Sequence, residues 1–169
     1  SYRIVFAPET IGTLAHIKKD LEKLKNNMIA GFNITCVGDE RNFSYLQSRD
    51  GFTYSDRIAK HVLKWIYPKY KSYDWTKRGS AERQYCSPNL NLPVATIMKT
   101  KFGMYPEYHT SDDKLGTVVT KKGLFQSYEM LKKMILIIEN DDKIQSNFIG
   151  EPQLSKRNLY PHLSFGEGL

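Results

Sequence analysis

Hydrophobic and polar positions fall into two alternating rhythms along this chain. Tyr2 to Ala7 is a short, mostly apolar run that reads as a buried strand. Pro8-Glu9-Thr10 turns it into a helix, with Thr10 as the cap. Ile11, Leu14, Ala15, Ile17, Leu21 and Leu24 then recur at helical spacing, and Asn26-Asn27 ends the segment. Met28 to Val37 is rich in Ile, Phe, Thr and Val and predicts a strand, stopped by Gly38-Asp39-Glu40. Phe43 to Leu46 predicts a shorter strand, and Arg49-Asp50-Gly51 a turn. Ser55-Asp56 is expected to cap a second helix that buries Ile58, Ala59, Val62, Leu63 and Ile66 and ends at Pro68.

Ser72 to Trp75 reads as a further short strand, and Lys77 to Leu92 as a long polar loop. Val94 to Met98 is the next strand, entered through Pro93. A second long loop runs from Thr100 to about Gly116. Thr120 caps a third helix, Lys121 to Asn140, which is apolar nearly all round and so is expected to be packed on two sides. After Asp141 the chain has Gly150, Pro152, Pro161, Gly166 and Gly168 and little periodicity. Residues 1–140 therefore read as one α/β domain and 141–169 as an extended tail or linker. Strands alternating with helices predict a three-layer αβα sandwich, a mixed sheet with helices on both faces.

Composition adds few constraints. The 169 residues suffice for one domain with a real core. Hydrophobic content of 40% and charged content of 25% are those of an ordinary globular protein. The net charge is +7, but the lysines are spread along the chain, the pattern of a solvated face. Two cysteines, Cys36 and Cys86, give no disulfide scaffold and suit a reducing cytoplasm; Cys86 reads as a buried small hydrophobe. No apolar run reaches the roughly 20 residues that span a bilayer, so a membrane partner is not expected.

The chemistry concentrates where strands end and loops begin, the usual ligand position of such sheets. Those loops bring Glu9, Asp39, Glu40, Glu82, His109, Asp112 and Asp113 toward one edge. Of the four histidines, only His109 lies among aromatics and carboxylates, in Tyr105-Pro106-Glu107-Tyr108-His109-Thr110-Ser111-Asp112-Asp113. One ring nitrogen of such a histidine can bind a metal while a carboxylate fixes the other. Carboxylates with one histidine form a donor set that suits zinc. Plainer readings stand beside these: Glu9 as a first-turn helix glutamate, Asp39 as a turn residue, Glu82 as an exposed loop carboxylate beside Arg83. The chain has no Gly-x-Ser-x-Gly elbow and no glycine-rich phosphate loop.

Three segments carry a family resemblance: Arg3 to Gly12, Gly79 to Pro88, and Tyr105 to Asp113. In that order they resemble the catalytic domain of zinc-aminopeptidase-like proteins, a group that includes co-catalytic zinc aminopeptidases and glutaminyl cyclases. Within it the chain most resembles a bacterial aminopeptidase-like branch of little assigned function. The resemblance spans about residues 2–160 and implies the zinc-peptidase version of the αβα sandwich. It implies a zinc-dependent hydrolase of peptide or amide bonds, working through a metal-bound water. Glu9 matches the general base, with Thr10 where the family has a second glutamate. Thr35 stands at a ligand aspartate, with Asp39 four residues on. His109 matches the last metal ligand and Asp113 the aspartate that supports it. Glu82, Asp39 and Arg83 are candidates for metal or substrate binding, and Arg78 for gripping a substrate carboxylate.

The resemblance implies one or two zinc ions, with the first ligands upstream of this chain and a winged-helix domain after it. The expected partner is a peptide or amide small molecule, with a homo-oligomer left open and nucleic acid disfavoured. The threonines at ligand positions keep open an inactive relative that serves as a binding module. The basic charge keeps open a nucleic-acid-associated protein.

Overall fold

Val94 to Met98 form the centre of the sheet because every residue of the run is apolar or β-branched and all five are buried. This strand, β4, pairs in parallel with β1 (Gly31–Ile34) and antiparallel with β2 (Ser44–Leu46). β2 in turn pairs in parallel with β3 (Lys71–Tyr73), giving a four-stranded mixed sheet in the order β1-β4-β2-β3. The computed structural model describes residues 1–142, 145–147, 149–150 and 152–159.

Alternation along β4 sends Ala95 and Ile97 to one face and Val94 and Thr96 to the other. On the first face they meet α2 (Tyr54–Ile66) and α4 (Lys121–Asn140) through Ile58, Ala59, Val62, Leu63, Met130 and Met134. On the second, α1 (Ile11–Asn27) and the short α3 (Glu82–Tyr85) cover Val94 with Leu24, Cys86 and Leu92. The chain is thus an αβα arrangement of helices on both faces of a mixed sheet, as its rhythm predicts. Cys86 is fully buried, its Sγ is 3.3 Å from the Leu92 and Val94 carbonyls, and burial raises its thiol pKa.

Several expectations are corrected. Tyr2–Ala7 is not a buried strand: it forms no ladder, and Ile4 and Phe6 are 80% and 95% exposed. A strand exists only against a neighbour, and none faces this segment among the described residues. Tyr2 hydrogen-bonds the Glu139 side chain of α4, which pushes its phenol pKa up to about 12, whereas Arg3 pairs with Asp20 of α1 at 2.9 Å. The helix α2 begins earlier than expected: Thr53 is its N-cap, and Asp56 reaches back to accept the Thr53 N–H at 2.8 Å. Ser55 instead donates to the Pro93 carbonyl at 2.5 Å. Thr10 sits at the N-cap of α1 but its side chain makes no capping bond.

The polar loop 77–92 holds the turn of helix α3, built around Glu82. The helix α4 begins where expected, with the Thr120 hydroxyl accepting the Gly123 N–H at 2.9 Å. It packs along one side only; Leu124, Phe125, Tyr128, Ile135 and Leu136 remain exposed among the described residues. The 141–169 tail holds one short helical turn, Leu154–Arg157, and its 160–169 end lies outside the described residues.

Candidate functional site

β1 and β4 run in parallel, so their C-terminal ends leave the sheet at the same edge. The pairing continues one step beyond the strands, with Thr35 N–H donating to Ile97 O at 3.3 Å and Lys99 N–H to Cys36 O at 2.9 Å. Cys36 then turns out of the ladder with a φ of 47°, a left-handed conformation unusual for a residue with a Cβ. The helix α1 precedes β1 and runs back against it, so its N-terminus, with Glu9, arrives at this edge too.

The loop after β4 completes the site. Tyr105 is buried, and its hydroxyl donates to Asp113 Oδ2 at 2.7 Å while lying 3.5 Å from Cys36 Sγ. Burial, and then hydrogen bonding to Cys36 and Asp113, push this phenol well above its ordinary pKa, so it stays protonated at neutral pH. The Tyr108 ring meets Tyr105 edge-on with centroids 5.5 Å apart, and stacks on His109 at 3.9 Å. Burial first, then the charges of Cys36, Glu9 and Asp113, raise the Tyr108 pKa. His109 is exposed, with a φ of 61° that presents its ring at the loop surface. Arg41 clamps the loop from outside, reaching both oxygens of Glu107 at 3.2 and 3.3 Å.

Of the residues expected from sequence, His109 stacks on Tyr108, Asp113 accepts from the Tyr105 hydroxyl, and Glu9 reaches this loop only through the effect of its charge on Tyr108. The others lie apart. Glu82 is fully buried beneath the sheet, where its carboxylate accepts four hydrogen bonds: Gly79 N–H at 2.7 Å, Ser80 N–H at 2.9 Å, Asn33 Nδ2 at 2.9 Å and Thr96 Oγ1 at 3.0 Å. It is neither the exposed loop carboxylate nor the partner of Arg83. Asp39 is also buried, and accepts from Arg41 N at 2.7 Å, Thr100 N at 2.9 Å and Thr100 Oγ1 at 3.1 Å. It fastens the loop after β1 to the end of β4, which is more than a plain turn residue does. Arg83 is exposed, with its Nε on the Ser80 carbonyl, and Arg78 lies over Trp75 at 4.9 Å.

Zinc needs about four donors around one point. Among the described residues no three His, Cys, Asp or Glu side chains converge to hold a metal ion. Glu9 and His109 supply at most part of a set, and the carboxylates of Asp39 and Glu82 are engaged elsewhere, so these residues alone do not fit a zinc ion. Sequence reasoning missed Cys36, Tyr105 and Tyr108 as site residues. Only their placement, at a strand end and inside the histidine loop, could have flagged them.

A protein of Clostridium acetobutylicum described as a "Putative polysaccharide biosynthesis protein with aminopeptidase-like domain" is 39% identical over 167 residues, which is 98% of this chain and 38% of that protein. The crystal structure of a "putative peptidase" from Clostridium acetobutylicum superposes with a TM-score of 0.80 at 37% identity, covering 90% of this chain and 36% of that one. An aminopeptidase from Aneurinibacillus sp. strain AM-1 shares the fold, with a TM-score of 0.60 at 16% identity over 75% of this chain and 30% of its own. The chain spans well under half the length of these relatives. No helix among the described residues is long and apolar enough to cross a membrane. The family model for a domain of unknown function, DUF4910, matches residues 1–141, and the chain belongs to that family.

Proposed function

We propose that this domain is part of an aminopeptidase-like hydrolase of peptide or amide bonds. The observation that carries the reading is the loop at the edge where two parallel strands end, in which His109 stacks on Tyr108 and Asp113 accepts from the Tyr105 hydroxyl. The names of the relatives support it.

In this reading Glu9 is the general base, an exposed carboxylate able to take a proton from an attacking water and hand it to the leaving amine. His109 is this chain's contribution to a zinc site whose other donors come from elsewhere in a longer protein. A zinc ion, when bound, supplies the polarised carbonyl and the acidified water. Tyr105 and Asp113 fasten the loop that carries His109.

Zinc per chain, measured by elemental analysis on this chain and on a protein of the relatives' length, tests the proposal. The expectation is zinc in the longer protein, lost in His109→Ala with the fold intact, and hydrolysis lost in Glu9→Gln with zinc retained. Unchanged zinc in His109→Ala removes that residue from the site, and retained turnover in Glu9→Gln moves the base elsewhere.

One observation favours a second reading, a binding module that has lost the chemistry. The resemblance puts Thr10 and Thr35 at two ligand positions, and the buried carboxylates Asp39 and Glu82 spend their oxygens on backbone and side-chain donors. Absence of zinc from both proteins decides for this reading.

A further inference from the structure

β3 ends the sheet order, and its outer side meets no strand among the described residues. Lys71 N–H donates to Phe43 O at 2.9 Å and Tyr73 O accepts from Gln47 N–H at 3.1 Å, so both residues bond toward β2. Alternation then points the Ser72 N–H and C=O outward. Around this edge folding gathers cations and rings from two parts of the chain. Lys71, Lys77 and Arg78 are exposed, and the Arg78 guanidinium lies 4.9 Å over the half-buried Trp75 ring. Lys101, from the loop after β4, places its ammonium 5.7 Å over Tyr73 and 3.9 Å over Phe102, and the Phe102 ring packs on Gly79, next to Arg78. Burial lowers the Lys101 pKa; the charge of Glu82 opposes this, and that of Lys77 adds to it. Glu82 is fully buried on its four hydrogen bonds, and Asp74 is turned to the Thr76 N–H at 2.7 Å, with Lys77 a lesser influence on it. No ion pair among the described residues includes Lys71, Lys77, Arg78 or Lys101, so the edge keeps a cationic excess at its surface.

We propose that this edge binds single-stranded nucleic acid, with phosphates on Lys71, Lys77 and Arg78 and a base on the guanidinium–indole pair of Arg78 and Trp75. Exposed cations interleaved with aromatic rings suit a single strand, because every base has a face to stack and every nucleotide a charge. A duplex hides those faces, and the one helix at this edge, α3, has four residues, too few to enter a groove. An acidic peptide adding as a further strand is the competing anion. It gains little, because β3 is three residues long and Ser72 alone offers it an outward N–H and C=O. The reading does not rest on the proposed hydrolysis, and its readout does not depend on turnover.

Fluorescence anisotropy of a labelled single-stranded oligothymidylate of about ten nucleotides, titrated with the whole chain over a range of salt, tests the proposal. Saturable binding is expected at about 50 mM salt, with log K falling against log salt at a slope of about −2, from three phosphate contacts at roughly 0.7 each. Lys71→Gln combined with Lys77→Gln should weaken it roughly tenfold or more and cut the slope to about −0.7. Both side chains are exposed and outside every ion pair, so the variant keeps the fold, which circular dichroism checks. Trp65 is 70% exposed, and in a Trp65→Phe chain Trp75 is the one tryptophan left. Its fluorescence should be quenched in step with binding. No saturable binding, a folded double variant that binds like the parent, an unquenched Trp75, or equal binding of duplex overturns the proposal. Tighter binding of an oligoglutamate of equal charge also overturns it and assigns the edge to an acidic protein.

Discussion

Replacing Glu82 distinguishes a structural carboxylate from a ligand, and its effect can be worked from four hydrogen bonds. Oε1 accepts two backbone N–H groups, from Gly79 and Ser80, and Oε2 accepts from Asn33 and Thr96. In Glu82→Leu the two backbone donors lose their partner. Thr96 recovers an acceptor if the Asn33 amide flips, because Oδ1 then stands near Thr96 Oγ1, where Nδ2 now lies at 3.3 Å, and takes the hydroxyl proton. An orphaned buried donor costs about 1–3 kcal/mol, at the low end for the more open Gly79, so a loss of about 2–4 kcal/mol is expected. Glu82→Gln behaves differently. Its amide nitrogen fits on the Oε2 side, where the Asn33 amide can flip and the Thr96 hydroxyl can rotate to accept. Both backbone bonds then survive, and the loss is about 1–2 kcal/mol, the charge assistance alone. Urea unfolding of the three chains, compared at the midpoint with unchanged slope, gives these differences directly. A Glu82→Leu chain within about 0.5 kcal/mol of the parent would refute the reasoning, since that is the scale of an ordinary surface substitution.

Three further outcomes follow from the same packing. Gly123→Ala should destabilise by about 1–3 kcal/mol despite alanine's better helix propensity, because its Cβ would lie 2.0 Å from the Gly38 carbonyl oxygen; a more stable variant in thermal unfolding contradicts this. Asp56 is buried, which alone would raise its pKa, yet hydrogen bonds from Ser48, Tyr45 and Thr53 hold it below the ordinary value. Its stabilisation is therefore present above the unfolded-state pKa of about 4 and is lost as pH falls through the lower folded value. Asp56→Asn should be less stable than the parent at pH 7, and the gap should narrow in acid; a gap independent of pH refutes it. Tyr105→Phe removes the hydroxyl from Asp113 and should cost about 1 kcal/mol while loosening the His109 loop, read as faster amide exchange over 105–113; unchanged exchange there removes Tyr105 from the loop's support.

The parts legible in the sequence are those whose cause is local. The run of apolar and β-branched residues in β4 and the helical spacing of α1, α2 and α4 announce themselves through residue pattern, as does the Thr120 cap through residue type. What misled was context. Tyr2–Ala7 has the composition of a strand, but a ladder requires a partner that composition cannot supply. Glu82 and Asp39 have the look of loop charges, and burial beneath the sheet comes only from what folds over them. Around the candidate site, the motifs single out Glu9, His109 and Asp113. Cys36 and Tyr108 were not, because a positive φ at a strand end and the meeting of three loops are tertiary facts.

The outer side of β1 has a consequence for handling this chain. With order β1-β4-β2-β3, half the backbone N–H and C=O groups of β1 point away from the sheet and meet no strand among the described residues. Ile34 on β1 is 40% exposed. An uncharged, unpaired edge of this kind is a template for strand addition. In a concentrated preparation the most abundant segment able to dock there belongs to another copy, so association through β1 is the first failure to guard against in expression and crystallisation. A lysine in place of Ile34 is the smallest change that would blunt it.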